Sequence, residues 1–144
     1  MEIQPEDPTT PLARRLLEAM NADVVARYPG GLIRDAEPVF ELFLVGRWQD
    51  EPVACGGLCR FDPELAEVRR MYVAPAARGR GLARRLLEAL LEGARQLGYR
   101  KVRLETGSQQ PEAIRLYQSA GFAPIPPFGP YVDEPQSLCF AIEL

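Results

Sequence analysis

Arg78-Gly79-Arg80-Gly81-Leu82-Ala83 stands between a strand-like segment ending in Val73-Ala74-Pro75 and a long amphipathic stretch. Two glycines among charged residues let the backbone approach a bound group closely. The helix that follows aims its first unpaired N–H groups at the same place. The run therefore predicts an anion cradle whose natural guest is a phosphate or pyrophosphate. It lacks the Lys-Ser/Thr pair of a nucleoside-triphosphate loop. It also comes too late in the chain to open a dinucleotide-binding unit with a downstream acidic residue.

Downstream, Leu82, Leu86, Leu87, Leu90, Leu91, Ala94 and Leu97 recur on one stripe of a helix over 82–97, and Gly98 closes it. Residues 100–106 then alternate as a strand. Upstream, 66–73 reads as a strand with Glu67, Arg69, Met71 and Val73 on one face. Strand, glycine turn, helix and strand in succession make a crossover, so 66–73 and 100–106 are expected to run parallel. Further upstream, Pro11 to about Ala26 has a helical period stopped by Pro29-Gly30-Gly31. Phe40–Gly46 and Val53–Arg60 form a hairpin around Gln49-Asp50-Glu51-Pro52. Pro111 opens a last helix that Gly121 ends. Phe122-Ala123 and Ser137–Leu144 supply two final strands around a proline-rich loop.

The chain has 144 residues, 47% hydrophobic and 26% charged, which fits one globular domain over 1–144 with a core that needs no disulfide or metal. No apolar stretch is long enough to cross a bilayer, and the start Met1-Glu2-Ile3-Gln4-Pro5-Glu6-Asp7 has neither the basic nor the apolar region of a signal peptide. A cytoplasmic protein without a membrane partner is expected. The net charge of −3 leaves no footprint for nucleic acid.

Histidine is absent from the chain, which removes Ser-His-Asp and Cys-His machinery and every histidine-ligated metal site. Cys55, Cys59 and Cys139 form no CxxC pair and read as buried strand residues rather than as nucleophiles or ligands. No metal site is expected. Chemistry falls to Glu, Asp, Tyr, Lys, Ser or backbone groups.

Three pieces stand at a telling spacing: Met71-Tyr72-Val73-Ala74-Pro75, then the glycine-arginine run, then Ala113-Ile114-Arg115-Leu116-Tyr117 with Gly121-Phe122. Together they resemble the GNAT N-acetyltransferase superfamily, over about residues 40 to 144. The resemblance implies an α/β fold of the α+β kind: a mixed, mostly antiparallel central sheet with a splayed parallel strand pair, flanked by helices. It implies acetyl-CoA as cosubstrate, lying where those parallel strands part. Met71, Tyr72 and Val73 would pair with the pantetheine arm. The segment Arg78, Gly79, Arg80, Gly81, Leu82, Ala83 and Arg84 would hold the pyrophosphate, and Gln110, Ala113 and Tyr117 would flank the arm from the last helix. Tyr117 matches the tyrosine that donates a proton to the departing thiolate. Glu67 matches a strand position that carries a catalytic base in some members, the other reading being an ion pair with Arg69 or Arg103. The Val73 N–H is the expected oxyanion donor. Gln110 followed by Pro111 departs from the asparagine common at that point of the motif.

The acceptor is expected to be a small-molecule amine. Tyr28, Arg34, Phe128 and Tyr131 are candidates to line its pocket, with Arg69 and Arg103 to hold a carboxylate. Asp133 and Glu134 would instead favour a cationic amine. Cross-strand pairing of those arginines with Glu67 and Glu105 is an equally good reading. A non-catalytic acyl-CoA sensing module, a phosphate-binding regulatory domain and a peptide or protein N-acetyltransferase are the alternatives. A homodimer paired through the last strands is the expected assembly.

Overall fold

The computed structural model describes residues 1–28 and 37–144. Pro29-Gly30-Gly31 and Arg34 lie outside the described residues. In chain order the elements are β1 (Glu2–Pro5), α1 (Pro11–Arg27), β2 (Leu42–Trp48), β3 (Glu51–Arg60), β4 (Leu65–Val73), α2 (Leu82–Gln96), β5 (Lys101–Gly107), α3 (Pro111–Ser119), β6 (Ala123–Ile125) and β7 (Ser137–Glu143). Short 3-10 turns occupy Pro75–Ala77 and Gly129–Tyr131.

Local chemistry explains most of these boundaries. The Thr10 hydroxyl accepts from Ala13 N at 3.3 Å, and Pro11 follows it at the first helical position of α1. The β2–β3 turn puts both Gln49 and Asp50 at positive φ, the geometry whose twist suits a two-residue hairpin. Gly98, at φ +91°, follows the last turn of α2. β1 was not foreseen from the sequence. It is four residues long and only Ile3 among its middle positions is apolar, so it shows no period, yet it pairs antiparallel along β2 from Glu2 to Pro5.

The strands form one sheet in the order β1-β2-β3-β4-β5-β7-β6, antiparallel throughout except for β4 and β5. One face is covered by α2, whose Leu86, Leu87, Leu90, Leu91 and Ala94 are buried with Leu58, Val68, Val102, Leu104, Tyr117 and Phe140. Each fully buried leucine contributes about 1.5–3 kcal/mol, which makes this layer the main source of stability. The other face is covered by α1, where Ala13, Leu16 and Met20 pack with Phe43, Val45, Cys55 and Tyr72. All three cysteines are buried, and burial pushes the Cys55 thiol up to about 12 and the Cys59 thiol up to about 11.

The parallel pair is short. Leu65, Ala66 and Glu67 register with Lys101, Val102 and Arg103, and then the two strands run on without pairing each other. The cause lies on the other edge of β4. Between the pairs Gly57↔Arg69 and Cys55↔Tyr72, β4 spends two residues, Arg70 and Met71, against Gly56 alone, and Arg70 sits at φ +61°. Such a bulge bends its strand, and the bend falls where β4 leaves β5.

The bulge also reverses side-chain parity, which corrects the expectation of one face carrying Glu67, Arg69, Met71 and Val73. Ala66 and Val68 before the bulge, and Met71 and Val73 after it, all pack on the α2 side. Tyr72 goes to the α1 side. Glu67 and Arg69, which alternate with Ala66 and Val68, therefore face the α1 side, opposite to Met71 and Val73.

Candidate functional site

The opening between β4 and β5 is the throat of a cavity of about 730 Å³ that reaches both sides of the sheet. Its α2 side is lined by Met71, Val73, Arg78, Gly79, Gly81, Leu82, Ala83, Arg84, Ala113, Leu116 and Tyr117. Its α1 side is lined by Tyr28, Glu67, Arg69, Glu105, Phe128, Tyr131 and Ser137 among others.

On the α2 side the functional groups are mostly backbone. Gly81 caps α2 in the left-handed region at φ +77°, and no side chain satisfies the helix's first N–H groups. Gly79 has φ +80°, and a Cβ at either glycine would meet no protein atom within 4 Å. The space in front of both is therefore open to a ligand rather than filled by the fold. Ala74 N donates to Val53 O at 2.7 Å, so strand alternation turns the N–H and C=O of Val73 away from β3 and into the opening. That carbonyl accepts from Arg78 Nε at 2.9 Å, and the same guanidinium lies 3.6 Å from Asp23. Arg84 reaches across to the Ser119 hydroxyl and ties α2 to α3.

Tyr117 projects from α3 into the throat, its ring packed 5.8 Å from Phe122 and 6.4 Å from Phe140. Burial pushes its phenol far above the ordinary tyrosine range, and the charge of Glu105 adds to the shift. Gln110 turns its amide oxygen back to Gly107 N at 3.2 Å and the Thr106 hydroxyl at 3.4 Å, fixing the β5–α3 turn.

The α1 side is built from side chains. Glu67 and Arg103, which register across the last paired rung, form an ion pair with Arg103 Nε donating to Glu67 Oε1 at 2.8 Å. The Arg103 guanidinium is sandwiched between the rings of Phe61 and Phe128, at 4.0 and 3.9 Å. Phe128 in turn meets Tyr131 edge-on at 5.7 Å. Beyond this rung stands Glu105. Burial raises its carboxyl above the ordinary range, against the Ser137 hydroxyl that donates to it at 2.6 Å and the nearby charge of Arg69.

The glycine cradle opening on a throat between splayed parallel strands agrees with a match to a known family. The description "Acetyltransferase (GNAT) family" fits residues 8–122 of this chain. The chain belongs to the GNAT acetyltransferase family. It is 46% identical over 98 residues to the IAA acetyltransferase of Azospirillum brasilense, a match covering 67% of this chain and 63% of that protein's length. It is 33% identical over 101 residues to the N-acetyltransferase YsnE of Bacillus subtilis, covering 68% and 67%. Among solved structures, a Klebsiella pneumoniae protein described as an acyl-CoA N-acyltransferase superposes with a TM-score of 0.86 at 30% identity, over 99% of this chain and 97% of the other. A GNAT protein of Elizabethkingia anophelis, solved with acetyl-CoA bound, superposes with a TM-score of 0.71 at 21% identity, over 99% and 97%.

This GNAT site brings together most of the residues singled out from the sequence. Met71, Tyr72, Val73, Arg78, Gly79, Gly81, Leu82, Ala83, Arg84, Gln110, Ala113 and Tyr117 all line the cavity, as do Tyr28, Glu67, Arg69 and Tyr131. Arg80, Arg103, Asp133 and Glu134 are not part of its lining. Arg80 stacks its guanidinium 5.2 Å from the Trp48 ring instead, and Arg103 is held between its two aromatic neighbours and Glu67. Tyr28 is buried with its hydroxyl accepting from Gln109 N at 2.9 Å, which makes it a brace for the β5–α3 turn. The residue that sequence reasoning passed over is Glu105. Alternation along β5 puts it on the face of Arg103, but its burial beside Ser137 depends on β7, which comes from far along the chain.

No helix among the described residues is long and apolar enough to cross a membrane. Among the described residues there is also no group of three or more potential metal-ligating side chains.

Proposed function

We propose that the protein transfers an acetyl group from acetyl-CoA to the amino group of a small-molecule acceptor, by direct attack within a ternary complex. One observation carries this reading. A half-buried carboxylate with a raised pKa and a buried phenol flank one throat, Glu105 from the α1 side and Tyr117 from the α2 side, close enough for the charge of one to shift the other. A base and a donor on opposite sides of a shared opening suit a reaction in which the two substrates meet from opposite faces.

The donor fits the α2 side. The uncapped N–H groups at the start of α2 and the open space before Gly79 and Gly81 suit a pyrophosphate, and the inward N–H and C=O of Val73 suit the amide groups of a pantetheine arm. The acetyl-CoA held by the Elizabethkingia anophelis protein of the same fold supports this choice of donor. For that arm to pair, the Arg78 guanidinium must leave the Val73 carbonyl, and it is then near enough to meet phosphate oxygens.

An amine must lose a proton to attack. The Glu105 carboxylate takes it, directly or through a water, and its raised pKa makes it a better base than an exposed glutamate. The neutral nitrogen attacks the thioester carbonyl, and the Val73 N–H receives the developing oxyanion. The tetrahedral intermediate collapses as the carbon–sulfur bond breaks. Tyr117, kept protonated by burial, donates its hydroxyl hydrogen to the leaving sulfur, and the proton that the nitrogen sheds on collapse returns through water to the phenolate, so that amide and thiol are formed and the first proton leaves Glu105 to solvent. Glu67 is the weaker candidate for the base, because its carboxylate already takes two donors from Arg103.

The test is thiol release from acetyl-CoA in the presence of a panel of amines, with the acetylated product identified by mass. Amine-dependent thiol release is the expected result. Tight acetyl-CoA binding with no release across amino acids, polyamines, aminoglycosides and peptide N-termini would favour a sensing role instead.

A further inference from the structure

The α1 side of the throat carries charges in a crossed order. Along β4 the face reads Glu67 then Arg69, and along β5 it reads Arg103 then Glu105. The first rung, Glu67 with Arg103, falls where the strands still pair, and it closes into an ion pair. The second rung, Arg69 with Glu105, falls one step further along the same face, where β4 and β5 have ceased to pair. Both of its members line the cavity, and the charge of Arg69 acts on the Glu105 carboxyl. The parting of the strands thus falls at a rung that has the same two charges as the closed one, in opposite order.

We infer that the acceptor is a zwitterionic amino acid that bridges this opened rung, with its carboxylate on Arg69 and its amino group toward Glu105. The inference rests on the acetyl-transfer reading and specifies its second substrate. A guanidinium offers five N–H donors in a planar fork, so Arg69 can take a carboxylate in addition to the contacts it already makes. Glu105 meets the amine as the base that the reaction needs. A dicarboxylate without an amine would meet Glu105 with like charge, and a polyamine would meet Arg69 the same way. An amino acid presents each side of the rung with the opposite charge, so the rung also selects which end of the acceptor faces the thioester.

The side chain of the acceptor has a place too. Phe128 and Tyr131, paired edge-to-face, line the same cavity, and Phe128 is fixed from behind by the Arg103 guanidinium. That wall favours an apolar or aromatic side chain.

Three matched acceptors test this: phenylalanine, phenylalanine amide and phenylethylamine, with thiol release followed for each and acetyl-CoA binding measured separately by calorimetry. The wild-type protein is expected to favour phenylalanine over the other two by about tenfold or more in kcat/KM, the factor that loss of one charge-assisted hydrogen bond commonly brings. In Arg69→Gln that preference should fall toward unity, and Arg69→Lys should restore part of it. Equal rates for the three acceptors on the wild-type protein would overturn the inference even if every variant failed to fold. So would acetylation of phenylethylamine alone, or a preference that survives in Arg69→Gln. These results would leave the acetyl-transfer reading standing. That reading falls only if acetyl-CoA does not bind, or if it binds and no amine of any class releases thiol.

Discussion

The two sides of the throat are built in different ways. On the α2 side the ligand-facing groups are peptide units from one continuous run, Val73 through Arg84, presented by a strand end, a pair of left-handed glycines and a helix start. On the α1 side they are side chains gathered from β4, β5, β7, α1 and the loop before β7. A backbone site can be specified locally, because glycine positions and a helix boundary are enough to aim it. A side-chain site depends on which strands become neighbours and on which way each residue points. The first kind suits a cosubstrate with an unvarying handle, and the second suits a partner chosen by shape and charge.

If that division is real, changes on each side should separate in kinetics. The largest effect is expected from Glu105→Gln, which keeps the shape and the Ser137 hydrogen bond but removes the base. Its kcat/KM should drop by about 10²- to 10⁴-fold, while calorimetry should find acetyl-CoA affinity nearly unchanged. The same substitution should raise the melting temperature at neutral pH. The folded pKa of Glu105 is raised, so its contribution to stability is fully present below the unfolded value and is lost as pH rises through the folded value. A lower melting temperature for the glutamine variant at pH 7 would contradict the half-buried, disfavoured carboxylate. For the wild-type protein, kcat/KM should rise with pH through an apparent pKa above the usual glutamate range, and Glu105→Gln should erase that limb.

Next in size is Tyr117→Phe, which removes one hydroxyl from a ring that stays packed against Phe122 and Phe140. A loss of about 10- to 100-fold in kcat is expected, with acetyl-CoA affinity held within about twofold by calorimetry. An undiminished kcat would remove Tyr117 from the chemistry and leave it as a core aromatic.

Gly81→Val addresses the backbone side directly. A β-branched residue at φ +77° is strained by about 1–3 kcal/mol and places its side chain where the ligand is expected. Acetyl-CoA affinity should fall by about tenfold or more, with circular dichroism reporting whether α2 persists. A variant that bound acetyl-CoA normally but changed acceptor KM would break the division of labour between the two sides.

The smallest kinetic effect is expected from Arg103→Met. It leaves Glu67 without its partner and Phe128 without the cation behind its ring, at a cost of about 1–3 kcal/mol to stability. Acceptor KM should rise several-fold while kcat and acetyl-CoA affinity change little. A greater loss in acetyl-CoA affinity than in acceptor KM would mean that the rung supports the donor side.

The same contrast accounts for what could be read ahead of the structure. The leucine stripe of α2, the proline and glycine boundaries of α3 and the hairpin turn at Gln49-Asp50 were legible because each is a local pattern. The bulge was not. It is made by Arg70, an ordinary residue forced to φ +61° by the registers on either side of it, with no glycine to announce it. Missing it inverted the faces of β4 and set Glu67 beside Met71 and Val73, when Glu67 instead faces the α1 side and closes on Arg103. β1 was missed for a related reason, since a short edge strand gains its order from pairing with β2 rather than from its own periodicity.

Sequence alone determined the α2 side of this site: the family, the strand-turn-helix unit and the cradle at Gly79 and Gly81, because peptide groups held by glycine and a helix start carry their geometry within a few residues. Tertiary structure decided the α1 side. Only the assembled sheet, with its bulge and its early parting of β4 from β5, shows that Glu67 closes on Arg103 at the last paired rung and that Glu105 is half-buried beside Ser137. Those properties arise from strand neighbours distant in the chain, and burial exists only once they have met.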